Sequence, residues 1–394
     1  MCPDPSSPQS YGVIANNIIN SLRPNYEWHV IVNERSHGPP KDIRGMYWEW
    51  AGGVNRLTRN TTVMPHVVDK VQPEFILTID DLDNVGRIDA YKDVNLPWIQ
   101  YFPIDNHDTT VLRNTSFGIN NSDVSVCMSR FAYNFAKEHH IKIDECIYPF
   151  IDTDVYHKLT NPVEIAEIQE FKKLYMMEDK KVLLFVGRPG WRKNVEFLLG
   201  VFKKLLSKRD DICLFLHMDF NDPCREFNPW KSIYALDIPP NLITRFAGVN
   251  WDVGIPKKMM NLLYNVADVY ISTHGGEGFG LPIAEAMSCE TPGVITNCTT
   301  TPEFYKEGDE WVRGFGADVK ANILDNNVLR PFVDLNDFVK KVDILLDDES
   351  LRKDMGKKGR QWILKNCSVP VISRQWKMLL RKIDVPKARV LGYE

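Results

Sequence analysis

Two glutamates, Glu277 and Glu285, flank a glycine-rich loop with seven residues between them. An apolar run, Val269–Ser272, leads into this loop, and a predicted helix follows it with Pro282 in its first turn. Proline suits that position because its missing N–H would have no partner inside the helix. Glycine lets a backbone approach a ligand closely, and the free N–H groups at a helix start attract phosphate. Both carboxylates can therefore face one pocket and accept hydrogen bonds from sugar hydroxyls.

A second segment, Val182–Asn194, joins an apolar strand to a turn that carries three cations, Arg188, Arg192 and Lys193. Cations at the start of a helix oppose its dipole and cost stability. A bound diphosphate would compensate for this, since Arg can grip it with two hydrogen bonds and Lys acts as a point charge. The alternative is a solvated basic turn.

Short apolar runs alternate with amphipathic stretches along most of the chain. The apolar runs are 28–32, 75–79, 97–102, 123–127, 146–150, 181–187, 212–217, 242–246, 268–273 and 292–297. This alternation predicts an α/β fold with parallel sheets, in two Rossmann-like halves that meet near residues 150–162. Only helices are predicted after residue 336. The chain opens with a loop, Pro3–Ser10, and a helix, so the first strand of a doubly wound domain is missing or lies ahead of this sequence.

These features resemble the family-4 retaining glycosyltransferases, also called glycosyltransferase group 1, which have the GT-B fold. Further matching segments are Ser129–Phe131, Phe150–Thr153, Thr301–Phe304 and Leu351–Arg360. The resemblance implies two Rossmann-like domains whose parallel sheets face a central cleft, with a C-terminal helix that crosses back. It implies an acceptor-binding domain over residues 1–153 plus about 369–394, and a donor-binding domain over residues 154–368.

The resemblance also implies roles for single residues. Glu285 would bind the nucleotide ribose, and Arg188 and Lys193 the donor diphosphate, with Arg192 beside them. Glu277 would contact the transferred sugar. The backbone next to it would contribute to the donor site through Gly278, Phe279, Gly280 and Leu281.

The N-terminal half departs from the family pattern. The family has a His-Asp pair near the reacting centre, and Asp105 aligns with its Asp, but Ile104 stands where the His would be. His107 is the substitute that the sequence offers. The catalytic candidates are therefore Glu277, Asp105 and His107. A Gly-Gly pair in the first loop is reduced to Gly12, which is a further candidate for donor contact.

Two other motifs suggest a function less strongly. Asp81-Leu82-Asp83 mimics a metal-binding DxD motif, although polar loops at strand ends are common. Trp48 and Trp50, beside Gly52-Gly53, could stack on an acceptor sugar or could fill the core. The eight cysteines show no zinc-ligand spacing, and we expect no metal.

Charge and hydropathy exclude some classes of binding partner. Residues 1–153 carry 13 Lys and Arg against 19 Asp and Glu, which disfavours nucleic acid and anionic lipid. No run of about 18 apolar residues and no signal peptide are present, so we expect a soluble, cytoplasmic protein without integral membrane association. A glycan or glycoprotein acceptor is favoured over a lipid-linked one.

The sequence thus predicts an enzyme that moves a sugar, with retention and without metal, from a GDP- or UDP-linked donor to an acceptor hydroxyl. Mannose or another hexose is the favoured sugar. One alternative is another GT-B chemistry, such as a sugar-nucleotide epimerase or a phosphorylase. Another is a catalytically silent protein that binds glycans or nucleotide sugars. A dinucleotide oxidoreductase is disfavoured because no GxGxxG follows a strand.

Overall fold

The computed structural model describes residues 10–32, 47–50, 65–81, 96–109, 112, 119–222, 227–247, 254–325 and 328–383. The chain divides into two compact units. The first comprises Met1–Ile104, Asp108–Phe150 and Val369–Glu394, and the second comprises Asp105–His107 and Ile151–Ser368. The segment Asp105–His107 therefore groups with the second unit. Every helix in the described ranges is too short or too polar to cross a membrane.

The described residues of the first unit form two parallel sheets. In one, β1 (His29–Val32) pairs with β2 (Tyr47–Trp50). The other has four strands in the order β3 (Ile76–Ile79), β4 (Trp98–Phe102), β5 (Val124–Cys127) and β6 (Glu145–Cys146). All five residues of β4 are buried, as expected for a parallel strand that is covered on both faces.

The helices of the first unit include Ser10–Leu22, Arg130–Glu138 and Val369–Lys382. The second begins where the Ser129 side chain accepts the Ala132 N–H at 3.2 Å, which satisfies one of the unpaired donors of the first turn. The third is fixed to the sheet by Trp376, whose buried ring meets the Tyr101 ring edge-on at 5.0 Å. The last helix therefore belongs to the core of the first unit.

The described residues of the second unit form one six-stranded parallel sheet. Its strands are β7 (Lys181–Val186), β8 (Ile212–His217), β9 (Ile243–Thr244), β10 (Val269–Ser272), β11 (Gly293–Thr296) and β14 (Phe315–Ala317). Their order in the sheet is β14-β11-β10-β7-β8-β9. Successive strands run outward from β7 in one direction and from β10 in the other. The order reverses between β7 and β10, and ligands of such sheets bind at the carboxyl ends of the strands at this point.

Helices cover both faces of that sheet because its central strands are apolar throughout. The helices are Pro162–Leu174, Val195–Leu206, Pro229–Ala235, Lys257–Val266, Leu281–Ser288, Thr301–Tyr305, Leu335–Asp347 and Glu349–Asn366. Leu183 and Phe185 of β7 pack with Leu198 and Phe202 of the following helix in one buried cluster. This core fixes the carboxyl end of β7, from which the basic turn emerges.

Some elements differ from the sequence-based expectations. The strands expected over 146–150 and 242–246 are the two-residue strands β6 and β9. Two antiparallel hairpins were not predicted. They pair β12 (Lys306–Glu307) with β13 (Glu310–Trp311), and β15 (Val319–Asp325) with β16 (Val328–Val333). The alternation of strand and helix gave no sign of them, because hairpin residues show neither a helical period nor a long apolar run.

Candidate active site

The loop after β7 places the basic residues. Trp191–Lys193 form a single 3-10 turn that ends at Asn194, in the left-handed region at φ +48°. The turn is attached to the loop after β10, because the Gly275 N–H donates to the Arg192 carbonyl at 2.7 Å. The Asn194 amide also donates to the Thr273 carbonyl at 3.1 Å. Both loops at the reversal point of the sheet are therefore fixed to each other.

The loop after β10 needs glycine at two positions. Gly276 has φ +139°, and a Cβ there would collide with the carbonyl oxygen of Asp105. Gly280 has φ +98° and lies directly before the helix Leu281–Ser288. Such backbone angles are open to glycine and strained for other residues. The predicted glycine-rich loop and helix start are present at the expected place.

Glu277 lies at the centre of a group of charges. Its carboxylate binds the Lys193 ammonium, and the Arg192 guanidinium reaches its other oxygen at 2.9 Å. Burial alone would raise the pKa of Glu277, but the Lys193 and Arg192 charges outweigh burial and hold it well below its ordinary value. Glu277 is consequently an ionised carboxylate.

Asp105 joins the same group through two guanidinium groups. Its carboxylate lies 3.3 Å from Arg192 Nε and 3.4 Å from a terminal nitrogen of Arg330 on β16. Arg330 also donates to the Asp105 carbonyl at 3.1 Å. Three cationic side chains thus face two carboxylates, an arrangement suited to a ligand that carries both phosphate and hydroxyl groups.

Glu285 lies in a different environment, bound to tyrosines. The Tyr264 hydroxyl donates to its carboxylate at 2.7 Å, and Tyr156 also hydrogen-bonds to it. Burial raises the pKa of Glu285 to about 7, although both tyrosine hydroxyls and the Lys257 charge act in the opposite direction. The ring centroids of Tyr156 and Tyr264 are 6.0 Å apart, in an edge-on arrangement. Glu285 therefore exchanges its proton near neutral pH.

Arg188 is not part of the group around Glu277. Its guanidinium forms a two-pronged ion pair with Asp222, at 2.7 and 3.2 Å, and Asp222 is fully buried. Sequence reasoning grouped Arg188 with Arg192 and Lys193 because all three lie in one turn. The structure brings together Arg192, Lys193 and Glu277.

The remaining candidates lie at several places. Gly278, Phe279, Gly280 and Leu281 are buried beside Glu277, and the Thr300 hydroxyl donates to the Phe279 carbonyl at 3.0 Å. His107 lies two residues after Asp105 in the segment that groups with the second unit. Gly12 is buried within the helix Ser10–Leu22 of the first unit.

Two weaker candidates fall partly or wholly outside the described residues. Of the DxD motif only Asp81 is described, and it accepts a hydrogen bond from Tyr11. Trp48 and Trp50 lie on β2, but their side chains fall outside the described residues, as do Gly52 and Gly53.

Sequence reasoning missed Arg330, Tyr264, His274 and Thr299. Arg330 reaches the site from the hairpin that was not predicted. Tyr264 lies on the helix Lys257–Val266, where the sequence pattern favours a core position for a tyrosine. His274 is fully buried, and burial lowers its pKa to about 4, so it is neutral. Its position directly before the glycine-rich loop was the one feature of the sequence that could have pointed to it.

Comparison with known proteins shows which sequences and structures this chain is similar to. Residues 180–348 match the family model for glycosyl transferases group 1. N-acetyl-alpha-D-glucosaminyl L-malate synthase of Bacillus anthracis is 25% identical over 270 residues, which cover 67% of this chain and 60% of that enzyme. The chain thus spans less than two thirds of the length of that relative.

Two solved structures share the fold. Anabaena HepE, in complex with UDP and glucose, matches with a TM-score of 0.73 at 15% identity, over 96% of this chain and 97% of that one. Sucrose-phosphate synthase of Thermosynechococcus elongatus matches with a TM-score of 0.74 at 16% identity, over 96% of each chain. The fold is that of the GT-B glycosyltransferases. The part of the chain that matches the glycosyl transferases group 1, residues 180–348, lies within the second unit.

Proposed function

We propose that the protein transfers a sugar from a nucleoside diphosphate sugar to an acceptor hydroxyl, with retention of configuration and without a metal ion. The observation that carries this proposal is the group formed by Arg192, Lys193 and Glu277 at the reversal point of the second unit's sheet. Two similar proteins support it, since HepE was solved in complex with UDP and glucose, and the Bacillus anthracis relative is an N-acetyl-alpha-D-glucosaminyl L-malate synthase.

The cations would act on the leaving group. As the bond between the sugar C1 and the diphosphate oxygen breaks, negative charge develops on the diphosphate. Lys193 and Arg192 are already positioned by Glu277, so little reorganisation is needed to stabilise that charge. The acceptor hydroxyl forms the new bond to C1, and its proton passes to the released diphosphate. Loss of one such positioned donor typically lowers the rate by about 10²–10³.

The two glutamates would bind different parts of the donor. Glu277 is ionised and can accept hydrogen bonds from hydroxyls of the transferred sugar. Glu285 accepts a hydrogen bond from the Tyr264 hydroxyl, and its pKa lies near neutral pH. We assign it to the ribose hydroxyls. We place Arg188 and the backbone of Gly278–Leu281 in the donor site as well, following the family resemblance.

Asp105 would orient the Arg192 guanidinium from the other side, through the contact at 3.3 Å. His107 is proposed as a further catalytic group. The first unit would bind the acceptor, a glycan or glycoprotein, in a cytoplasmic setting, and Gly12 stays a candidate for contact with the donor. A hexose such as mannose, linked to GDP or UDP, is the proposed donor class.

The test has two stages. Thermal shift against UDP, GDP, ADP and their sugars identifies the donor, since a ligand at 100 times its dissociation constant stabilises by about 2.7 kcal/mol. Product analysis with glycan acceptors then follows in wild type, Lys193→Ala, Glu285→Ala and a control, Lys358→Ala. Lys358 lies on the surface in an ion pair with Asp354.

We expect transfer in wild type and Lys358→Ala and its loss in the other two variants. Donor binding without transfer or hydrolysis would support the silent binding protein instead. The proposal fails if no nucleotide sugar binds, or if Lys193→Ala and Glu285→Ala behave like Lys358→Ala.

A further inference from the structure

Thr299 has a backbone conformation that its residue type disfavours. It follows β11, is 5% exposed and has φ +44°, in the left-handed region. A branched Cβ makes that region strained, and such outliers persist only where the surroundings enforce them. Glycine would adopt the same angle without strain. Threonine at this position therefore needs a reason that glycine would not satisfy.

The Thr299 hydroxyl supplies that reason. Its oxygen accepts the backbone N–H of Glu277 at 2.9 Å. The N–H of the preceding residue, Gly276, is accepted by Nδ1 of His274 at 3.1 Å. Two side chains thus hold two consecutive peptide N–H groups, and the second of these belongs to the residue that binds Lys193 and Arg192.

His274 can perform this task only as a neutral ring. Its Nδ1 accepts a hydrogen bond, which places the proton of the neutral imidazole on Nε2. Full burial keeps the ring in that form. The thiol of Cys298, the neighbour of Thr299, lies 3.7 Å from the same Nδ1, so the loops after β10 and β11 meet at this ring.

We propose that Thr299 and His274 are positioning residues for sugar transfer, which hold the Gly276–Glu277 backbone so that the Glu277 carboxylate faces both cations and the donor sugar. This inference rests on the proposed function for its kinetic consequence. It goes further by naming residues outside the charged group, and by attributing the strain at Thr299 to the need for its hydroxyl.

The test compares three variants at position 299. Thr299→Ser keeps the hydroxyl, Thr299→Ala removes it and keeps a Cβ in the left-handed region, and Thr299→Gly removes both. We expect kcat to stay near wild type in Thr299→Ser and to fall about 10- to 100-fold in both others, because a buried N–H loses its acceptor. We expect Thr299→Gly to melt about 2–4 °C above Thr299→Ala, since only glycine relieves the backbone.

Met176 provides the matched control. It has φ +54° and is 80% exposed at the surface of the second unit. Met176→Gly and Met176→Ala should show the same order of melting temperatures with no change in kcat. At His274, Asn offers a side-chain oxygen as acceptor and should retain more activity than Phe.

Equal kcat in the Ser, Ala and Gly variants of position 299 would overturn the proposal. So would a Thr299→Gly protein that melts below Thr299→Ala. If wild type turns over no nucleotide sugar, the proposed function fails by itself. Amide hydrogen exchange of the Gly276–Glu277 peptide then decides the inference, which requires faster exchange in Thr299→Ala than in wild type or Met176→Ala.

Discussion

Replacing Glu285 by Gln should make the protein more stable and its nucleotide binding weaker. Burial raises the pKa of Glu285 from 4.5 to about 7, so the folded protein holds this proton more firmly than the unfolded chain. The free energy of unfolding therefore falls as the pH rises from about 4.5 to about 7. Above that range the ionised carboxylate carries its full desolvation cost, and Gln removes it.

The magnitude follows from the two pKa values. The interval between 4.5 and about 7, at about 1.4 kcal/mol per pKa unit, corresponds to about 3 kcal/mol. Gln keeps an oxygen that can accept the Tyr264 hydroxyl, now found at 2.7 Å. The gain at pH 8 should thus be about 2–3 kcal/mol, or about 4–9 °C in melting temperature, and should vanish near pH 4.

The assay is calorimetry of wild type and Glu285→Gln from pH 4 to pH 8, with affinity for the cognate nucleoside diphosphate measured on the same samples. We expect affinity to fall in the variant, because a neutral amide accepts ribose hydroxyls less strongly than a carboxylate. A pH-independent stability difference would refute the burial argument. Unchanged affinity would refute the assignment of Glu285 to the ribose.

Three further predictions concern the rest of the site. Lys193→Met should lower kcat by about 10²–10³ in steady-state assays, while Lys193→Arg, which keeps the charge, should lose less. Gly276→Ala should lose stability by at least about 1–3 kcal/mol in thermal unfolding, because of φ +139° and the Asp105 carbonyl. Its control is Gly190→Ala, since a Cβ at Gly190 meets no atom within 4 Å. Treatment with EDTA should leave turnover unchanged, and a loss restored by a divalent cation would contradict the metal-free mechanism.

The parts of the fold that the sequence predicts are those encoded locally. The strand Val269–Ser272, the glycines after it and Pro282 in the next helix each have a conformational preference of their own, and together they define a strand, loop and helix. The same holds for β7 and the basic turn. The edge strands β6 and β9 were predicted from local apolar runs, but each is only two residues long, because pairing with the neighbouring strand decides its length.

The parts of the site that were missed depend on contacts distant in sequence. Arg330 binds Asp105, from which it is separated by 225 positions in the sequence, and it lies on a hairpin that no sequence pattern predicts. The ion pair between Arg188 and Asp222 was also not predicted, because Asp222 is buried by tertiary packing. At Thr299 the sequence gives a threonine where the backbone angle favours glycine, and only the structure shows the hydrogen bond that explains it.

Glu277 and Glu285 lie in one loop and helix start, yet their surroundings drive their proton affinities apart. Burial penalises both charges, but Lys193 and Arg192 overcome the penalty at Glu277, while neutral tyrosines do not overcome it at Glu285. The same substitution should therefore have opposite effects at neutral pH. Glu277→Gln leaves a buried ammonium without its carboxylate and should destabilise by about 3–5 kcal/mol, whereas Glu285→Gln stabilises. The destabilisation caused by Glu277→Gln should become smaller in acid, once the wild-type carboxylate is protonated. This should occur at a pH below the range in which glutamate ordinarily titrates. Equal signs for the two variants at pH 7 would show that burial alone, and not the cations, sets the state of Glu277.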